Sequence, residues 1–230
     1  IALCEHVDFD PRDEAYGFYN PEGYFTALAA ARAGFPGVEV LAGVEVGEPH
    51  AWPCEVQQLL SRFAYDVVLG SVHWVEGLPM GRQLFQRYPM EKAWRLYLAE
   101  VARVAEGADV DVVAHLDLVK RHGNGYYREA PRLEAFEPEL RRIFAAMVAR
   151  GLCLEVNTSG LRQEPGEPYP AGEVLALYRE MGGRRVCLGS DAHRPKEVGA
   201  GFHTARQILR AAGFSALTFY RARQPVHTPL

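Results

Sequence analysis

A short apolar run rich in β-branched residues recurs along the chain, each time ending in polar or ionisable residues and followed by a stretch with helical spacing. The runs are IALCEHVDF (1–9), VEVLAGVEV (38–46), DVVLGSVHW (66–74), DVVAHLDLV (111–119), LCLEVNTSG (152–160) and RVCLGSDAH (185–193), with a weaker seventh, LTFYRA (217–222). Between them YFTALAAARAG, EVQQLLSRF, MEKAWRLYLAEVARVAEG, PELRRIFAAMVARG, GEVLALYREMGG and TARQILRAAG read as helices, several closing on glycine as helices commonly do. Near-continuous Val/Leu/Ile runs belong to strands covered on both faces, so the pattern predicts an α/β fold with a parallel sheet. The stretches 75–90 and 121–138 are the longest irregular insertions and are expected as loops over one face. No Pro/Ser-rich linker divides the chain, which predicts a single domain over 1–230.

The ionisable residues of these runs are not scattered. His6, Glu45, His73, His115, Asn157, Asp191 and His193 stand at or near the C-terminal ends of their strands, the ends that converge on one rim of a β/α barrel. A single histidine on an apolar strand is more often a hydrogen-bonded core residue than a ligand. Six strands contributing to one rim are hard to explain that way, because each buried ionisable group costs on the order of several kcal/mol unless it is paired or coordinated. Imidazole nitrogen and carboxylate oxygen are the donors that suit Zn, Fe and Mn. Glu45 has two oxygens with which to bridge two ions, and Asp191-x-His193 places two donors at one strand end. Divalent ions about 3.5–4 Å apart ionise a water and clamp a phosphoryl group. The residues therefore point to a hydrolytic cluster of two or three divalent ions.

Composition narrows the rest. Lys+Arg 25 against Asp+Glu 29 gives a formal charge of −4, which argues against a nucleic-acid groove built on bulk positive charge. No run approaches the roughly 20 apolar residues of a membrane helix. Cys4, Cys54, Cys153 and Cys187 form no C-x-x-C pair and are expected as free thiols in a reducing, cytoplasmic compartment. Neither a P-loop, nor a dinucleotide fingerprint after the first strand, nor a G-x-S-x-G elbow is present. The expected partner is a small phosphorylated molecule, with no nucleic acid and no membrane.

The ordered series His6, Glu45, GSVH at 70–73, AHLD at 114–117, NTSGLR at 157–162 and SDAHRP at 190–195 resembles the polymerase-and-histidinol-phosphatase (PHP) superfamily. NTSGLR followed by SDAHRPKEVG is most similar to its monofunctional histidinol-phosphate phosphatases, and the resemblance covers essentially the whole chain. It implies a distorted (β/α)7 barrel, a trinuclear centre, and hydrolysis of L-histidinol phosphate to L-histidinol and phosphate in histidine biosynthesis. It also implies His6, Glu45, His73, His115, Asp191 and His193 as metal ligands. In the mechanism this suggests, Asp191 or His193 is near enough to manage a proton, and a metal-bound water does so instead if both are full ligands. Arg162 matches the arginine expected on the substrate phosphate, and a guanidinium fork suits phosphate oxygens in any case. Arg194, Lys120 and Arg121 are further candidates for the substrate pocket.

The chain departs from the family pattern in two places. The family opens with H-x-H on its first strand, so that strand, with the remaining ligands, is expected upstream of Ile1. Where the family commonly has T-D-H, this chain has Cys4-Glu5-His6, and Glu5 is a candidate to orient His6. His50 and His122 are expected to be solvated, and VHTPL at 226–230 is read as a chance echo of the opening motif. Two rival readings stand beside the first: a PHP phosphoesterase for another phosphomonoester or a nucleotide, and a degenerate PHP barrel that serves as a binding scaffold.

Overall fold

Each of the six long apolar runs contributes a strand to one parallel sheet in the computed structural model, which describes residues 1–230. These strands are β1 (Ala2–Val7), β2 (Leu41–Gly47), β3 (Val67–Ser71), β6 (Val112–Val113), β7 (Cys153–Asn157) and β8 (Val186–Gly189). Between β3 and β6 lies a small hairpin of β4 (Trp74–Val75) and β5 (Leu78–Pro79). The sheet runs β1-β2-β3-β6-β7-β8 with every neighbour parallel, so all six C-terminal ends point the same way. On its outer edge β1 has no parallel neighbour, and Ile1 and Leu3 are exposed there.

The helices are α1 (Pro21–Gly34), α2 (Pro53–Arg62), α3 (Arg82–Arg87), α4 (Met90–Gly107), α5 (Lys120–Tyr127), α6 (Glu137–Arg150), α7 (Gly172–Glu180) and α8 (Phe202–Ala211). Local chemistry sets their ends. The Asn20 side chain accepts the Gly23 N–H ahead of α1, with Pro21 in the first turn. Gly151 closes α6 at φ 66°, where a side chain would be strained. The 18 residues of α4 bury Trp94, Tyr97, Leu98, Val101 and Val104 along one stripe, and α4 packs on α6. One cluster of 44 buried residues joins the sheet to its helices.

Several expectations fail. The run 111–119 forms a strand only at Val112–Val113, because His115 turns the chain at φ 24° and the following residues wind into α5. Leu116, Leu118 and Val119 are buried all the same; apolarity reports burial and does not separate a strand from a buried turn. The segments 75–90 and 121–138 are not loops throughout, since they carry the β4–β5 hairpin with α3, and most of α5.

The seventh run also leaves the parallel sheet. It forms β9 (Ala216–Arg221), which pairs antiparallel with β10 (Gln224–Pro229) through a two-residue turn, Ala222-Arg223, with both φ positive as tight hairpins require. This hairpin sits against the N-terminal ends of the strands. Arg223 donates to Asp66 O, Asp111 and Asp109, and the Tyr220 hydroxyl donates to Asp111 O. The Tyr220 ring joins Val67, Val112 and Cys153 in a separate small cluster. One end of the sheet is therefore plugged, and the opposite end is left for chemistry. VHTPL is thus mostly strand, with the His227 imidazole against Thr218 Oγ1.

Candidate metal centre

Parallel pairing places His6 directly beside Glu45 in neighbouring strands, and Glu45 beside Leu69 in the next. His73 follows β3 by two residues and His115 follows β6 by two, so their rings reach the same rim. Glu45 is the hub. Its Oε1 lies 3.1 Å from His115 Nε2 and 3.7 Å from His73 Nε2, and its Oε2 lies 3.8 Å from His6 Nε2. Adjacent rings are 5.6 Å apart for His6 and His73 and 5.4 Å apart for His73 and His115.

The electrostatics follow from crowding charge in a dry place. Burial alone would raise the Glu45 carboxyl; the His115 hydrogen bond and the charges of His115, His6 and His73 overcome it and hold Glu45 well below the usual carboxylate range. Burial alone would lower His73, but Asp8, Glu45 and Glu48 hold it up at about 9. His115 is raised for the same reason, mainly by Glu45. Glu155 is pushed up to about 7, first by burial and then by the neighbouring charge of Glu45, against the pull of His115.

The donor set fits a divalent ion. His6, Glu45 and His73 each offer a ligand atom, all within 4.8 Å of one another, and imidazole with carboxylate is the combination that zinc, iron and manganese accept. Asp8 Oδ1 and His115 Nδ1 are buried beside them without partners. Because an imidazole must be neutral to bind metal, and the raised His73 keeps its proton up to about pH 9, zinc uptake near pH 7 is expected to release a proton from His73. Affinity should then climb between pH 7 and 9 and level off above. Calorimetry in buffers of different ionisation enthalpy reads this directly; affinity indifferent to pH over that range would refute it.

The other sequence candidates fall in different places. Asp191 and His193 follow β8 and face each other at 3.5 Å, but they stand outside the close group of His6, Glu45 and His73. Asp191 takes φ 48°, and His193 is largely exposed with Nδ1 3.1 Å from the Asp191 carbonyl. Arg162, in the 3-10 turn after β7, donates to Ser190 O at 2.8 Å and Thr158 O at 3.5 Å, which sets its guanidinium across the ends of β7 and β8. Arg194 is exposed and Arg121 half-buried on α5. Lys120 is buried, and its ammonium is held by Asp117 at 2.9 Å, Glu167 at 2.8 Å and Pro168 O at 3.0 Å. Asn157 turns inward and accepts from Ser159 N and Oγ.

Other histidines and acids need correction too. His50 is not solvated, because its Nε2 pairs with Glu100 at 2.8 Å in a mostly buried position. Glu5 is exposed and alternates away from His6, so it does not orient that ring. The carboxylates that do approach the histidines are Asp8, Glu48 and Glu155. Glu48 accepts the backbone N–H groups of His73 and Trp74, and Glu155 accepts that of His115 at 2.8 Å. A Cβ on Gly189 would collide with Glu155 Oε1, so only glycine leaves room for that acid. Asp8 was legible in principle, since residues two apart on a strand share a face.

Comparison with known proteins bears on the family and the fold. A model of the PHP domain matches residues 1–159. The chain is 31% identical over 208 residues to the "Probable histidinol-phosphatase" of Deinococcus radiodurans, covering 88% of this chain and 76% of that one. It is 26% identical over 224 residues to the histidinol-phosphatase of Lactococcus lactis, covering 96% of this chain and 82% of that one. A crystal structure of histidinol phosphate phosphatase from Lactococcus lactis, complexed with zinc, L-histidinol and phosphate, superposes with a TM-score of 0.84 at 22% identity, over 98% of this chain and 87% of that one. The shared architecture is an α/β fold with a curled, parallel, half-barrel sheet. With a family model over well more than half of its length and a relative above 30% identity, the chain belongs to the PHP-domain family.

Proposed function

We propose that this chain is a metal-dependent phosphomonoesterase that hydrolyses L-histidinol phosphate to L-histidinol and phosphate, the phosphatase step of histidine biosynthesis. The observation that carries the reading is Glu45 with three imidazoles within 3.1–3.8 Å at the open end of the sheet, in a chain whose curated relatives are named for that activity. His6, Glu45, His73 and His115 would hold divalent ions, with Asp191 and His193 adding donors from the end of β8. When bound, such ions supply Lewis acidity toward phosphoryl oxygens and a water ionised near neutral pH.

The chain's own residues do the rest. Arg162, oriented by the Ser190 and Thr158 carbonyls, presents its remaining N–H groups to phosphate oxygens. Asp191 or His193, 3.5 Å apart, would return to the leaving alkoxide the proton lost by the attacking water if its side chain were not taken up by an ion; were both to serve as ligands, a water would carry that proton instead. Arg194 adds positive charge at the mouth. The same reading takes residues 1–230 as one phosphoesterase domain, supported by the single large core. It takes the curled sheet as most of a distorted (β/α)7 barrel, supported by the free outer edge of β1. No helix is long and apolar enough to cross a membrane.

The test is phosphate release from L-histidinol phosphate by the purified chain, with and without a chelator, beside a panel of other phosphomonoesters. Release that the chelator abolishes and added zinc or manganese restores is the expected result. A folded, metal-loaded protein that prefers another phosphomonoester would overturn the substrate. One that hydrolyses none would overturn the enzyme.

A further inference from the structure

We infer that Lys120 is a positioning residue that holds the Thr158–Arg162 turn, and with it the Arg162 guanidinium, by way of the chain limb Glu167–Tyr169. The inference deepens the phosphatase reading above and rests on its assignment of Arg162 to phosphate. The Lys120 side chain is only 7% exposed, and a buried ammonium is costly unless charge and hydrogen bonds surround it. Here they do. The ammonium donates to Glu167 Oε1 at 2.8 Å and to Pro168 O at 3.0 Å, and it pairs with Asp117 Oδ2 at 2.9 Å. The Tyr169 ring centroid lies 5.1 Å from the same nitrogen. One buried charge therefore ties α5 to a limb of chain that follows the arginine's turn.

That limb lies directly on the turn. A Cβ on Gly160 would collide with the Glu167 carbonyl oxygen and crowd the Tyr169 ring, so the two stretches pass at backbone contact. Tyr169 is fully buried and exchanges both backbone hydrogen bonds with Asn157, at 2.8 and 2.9 Å. Its hydroxyl donates to Gln163 Oε1 at 2.7 Å, on the residue after Arg162. Residues 157–169 thus form a closed loop, shut at its neck by Asn157 and Tyr169, with Lys120 against its returning limb. Arg162 reaches out of this loop to Ser190 O, 2.8 Å away beyond the end of β8. Hydrogen bonds weaken steeply as donor and acceptor move apart or out of line, so the guanidinium keeps its place only while the loop keeps its own.

Two variants of the full chain test this. Lys120→Met removes the tie itself, and Glu167→Ala removes its partner on the loop. Glu167 is 46% exposed, so the second variant carries the test should the first, which leaves Asp117 without its cation, fail to fold. Lys120→Met is expected to lower kcat/KM for L-histidinol phosphate by about 10–100-fold, since a misplacement of about 1 Å can cost about 100-fold. Glu167→Ala should lower it in the same direction by a smaller factor. Inhibition by inorganic phosphate should weaken alongside. In an Arg162→Ala background neither substitution should cost more than about twofold, because residues that act through one another are not additive. Nitrogen-15 spectra of the metal-free chain give a second readout. The Arg162 Nη signals, separate while Ser190 O holds one of them, should merge in both variants.

Losses that multiply with that of Arg162→Ala would overturn the inference, by making Lys120 a support of the fold at large or a substrate contact in its own right. Arg162 signals unmoved in the folded variants would overturn it too, whatever the rates. A wild-type chain that hydrolyses no phosphomonoester would overturn the phosphatase reading alone, as an Arg162→Ala variant with wild-type kcat/KM would overturn the phosphate assignment alone. In both cases the Arg162 signals still decide Lys120, because they are read without metal or substrate.

Discussion

Glu45→Gln is expected to lower phosphatase turnover by more than about 100-fold and to strip the protein of tightly held metal. Replacing groups that merely orient a metal ligand costs about 10–100-fold in affinity or activity, so a substitution at the hub itself should exceed that range. The reason is local. One carboxylate faces His115 at 3.1 Å, His73 at 3.7 Å and His6 at 3.8 Å, so its charge is the common counterweight to whatever cations gather there. Glutamine keeps the shape and one acceptor oxygen but removes that charge. Turnover, metal content by emission spectroscopy and a thermal melt together check the prediction. A variant that melts like wild type, carries full metal and turns over at near-normal rates would show that Glu45 is no ligand.

The second large effect is expected at Arg162. Alanine there should reduce kcat/KM by about 100–1000-fold, the range typical of removing a preorganised donor from developing oxyanion charge. Lysine should recover only part of it, because an ammonium restores charge without the planar fork, and donors given to Ser190 O and Thr158 O leave fewer for phosphate than the five N–H groups of a guanidinium. The comparison separates phosphate contact from packing, since Arg162 is exposed and its loss opens no cavity. Weaker product inhibition by inorganic phosphate should accompany the loss. A kcat/KM within about threefold of wild type would place the phosphate elsewhere.

The parts of the fold that were legible are those whose signal is burial on a regular lattice. The six runs read as strands because a parallel sheet covered by helices must be apolar on both faces, and the α4 segment was bounded at Met90–Gly107 as its pattern suggested. The misreadings came where burial and conformation part company. Residues 114–119 are as buried as a strand but turn at His115. The α5 segment KRHGNGYY has two glycines and poor helical spacing, yet it is a helix because tertiary contacts hold it. Lys120 is clamped by Asp117 and Glu167, and at Gly123 a Cβ would run into the Trp94 ring.

The site divides along the same line. His6, Glu45, His73 and His115 could be gathered from the sequence because each sits at a strand end and parallel strands bring those ends together. The carboxylates around them could not be ranked. Asp8, Glu48 and Glu155 look like any loop or strand acid until the cradles at Gly47 and Gly189 and the backbone N–H groups of His73 and His115 are in place. His50 and Glu100 lie fifty residues apart, and only the packing of α4 against the segment after β2 makes them a buried pair.

The sequence by itself determined the alternation of strands and helices, the parallel sheet, and the rim to which the histidines and Glu45 belong. Those features follow from periodic burial and from residue types at strand ends, both of which are local properties of the chain. Only the tertiary structure decided which acid faces which imidazole, that Lys120 is a buried clamp, and that the last two strands plug one end of the sheet. These depend on a side chain's last few ångströms, set by distant residues that the local pattern does not encode.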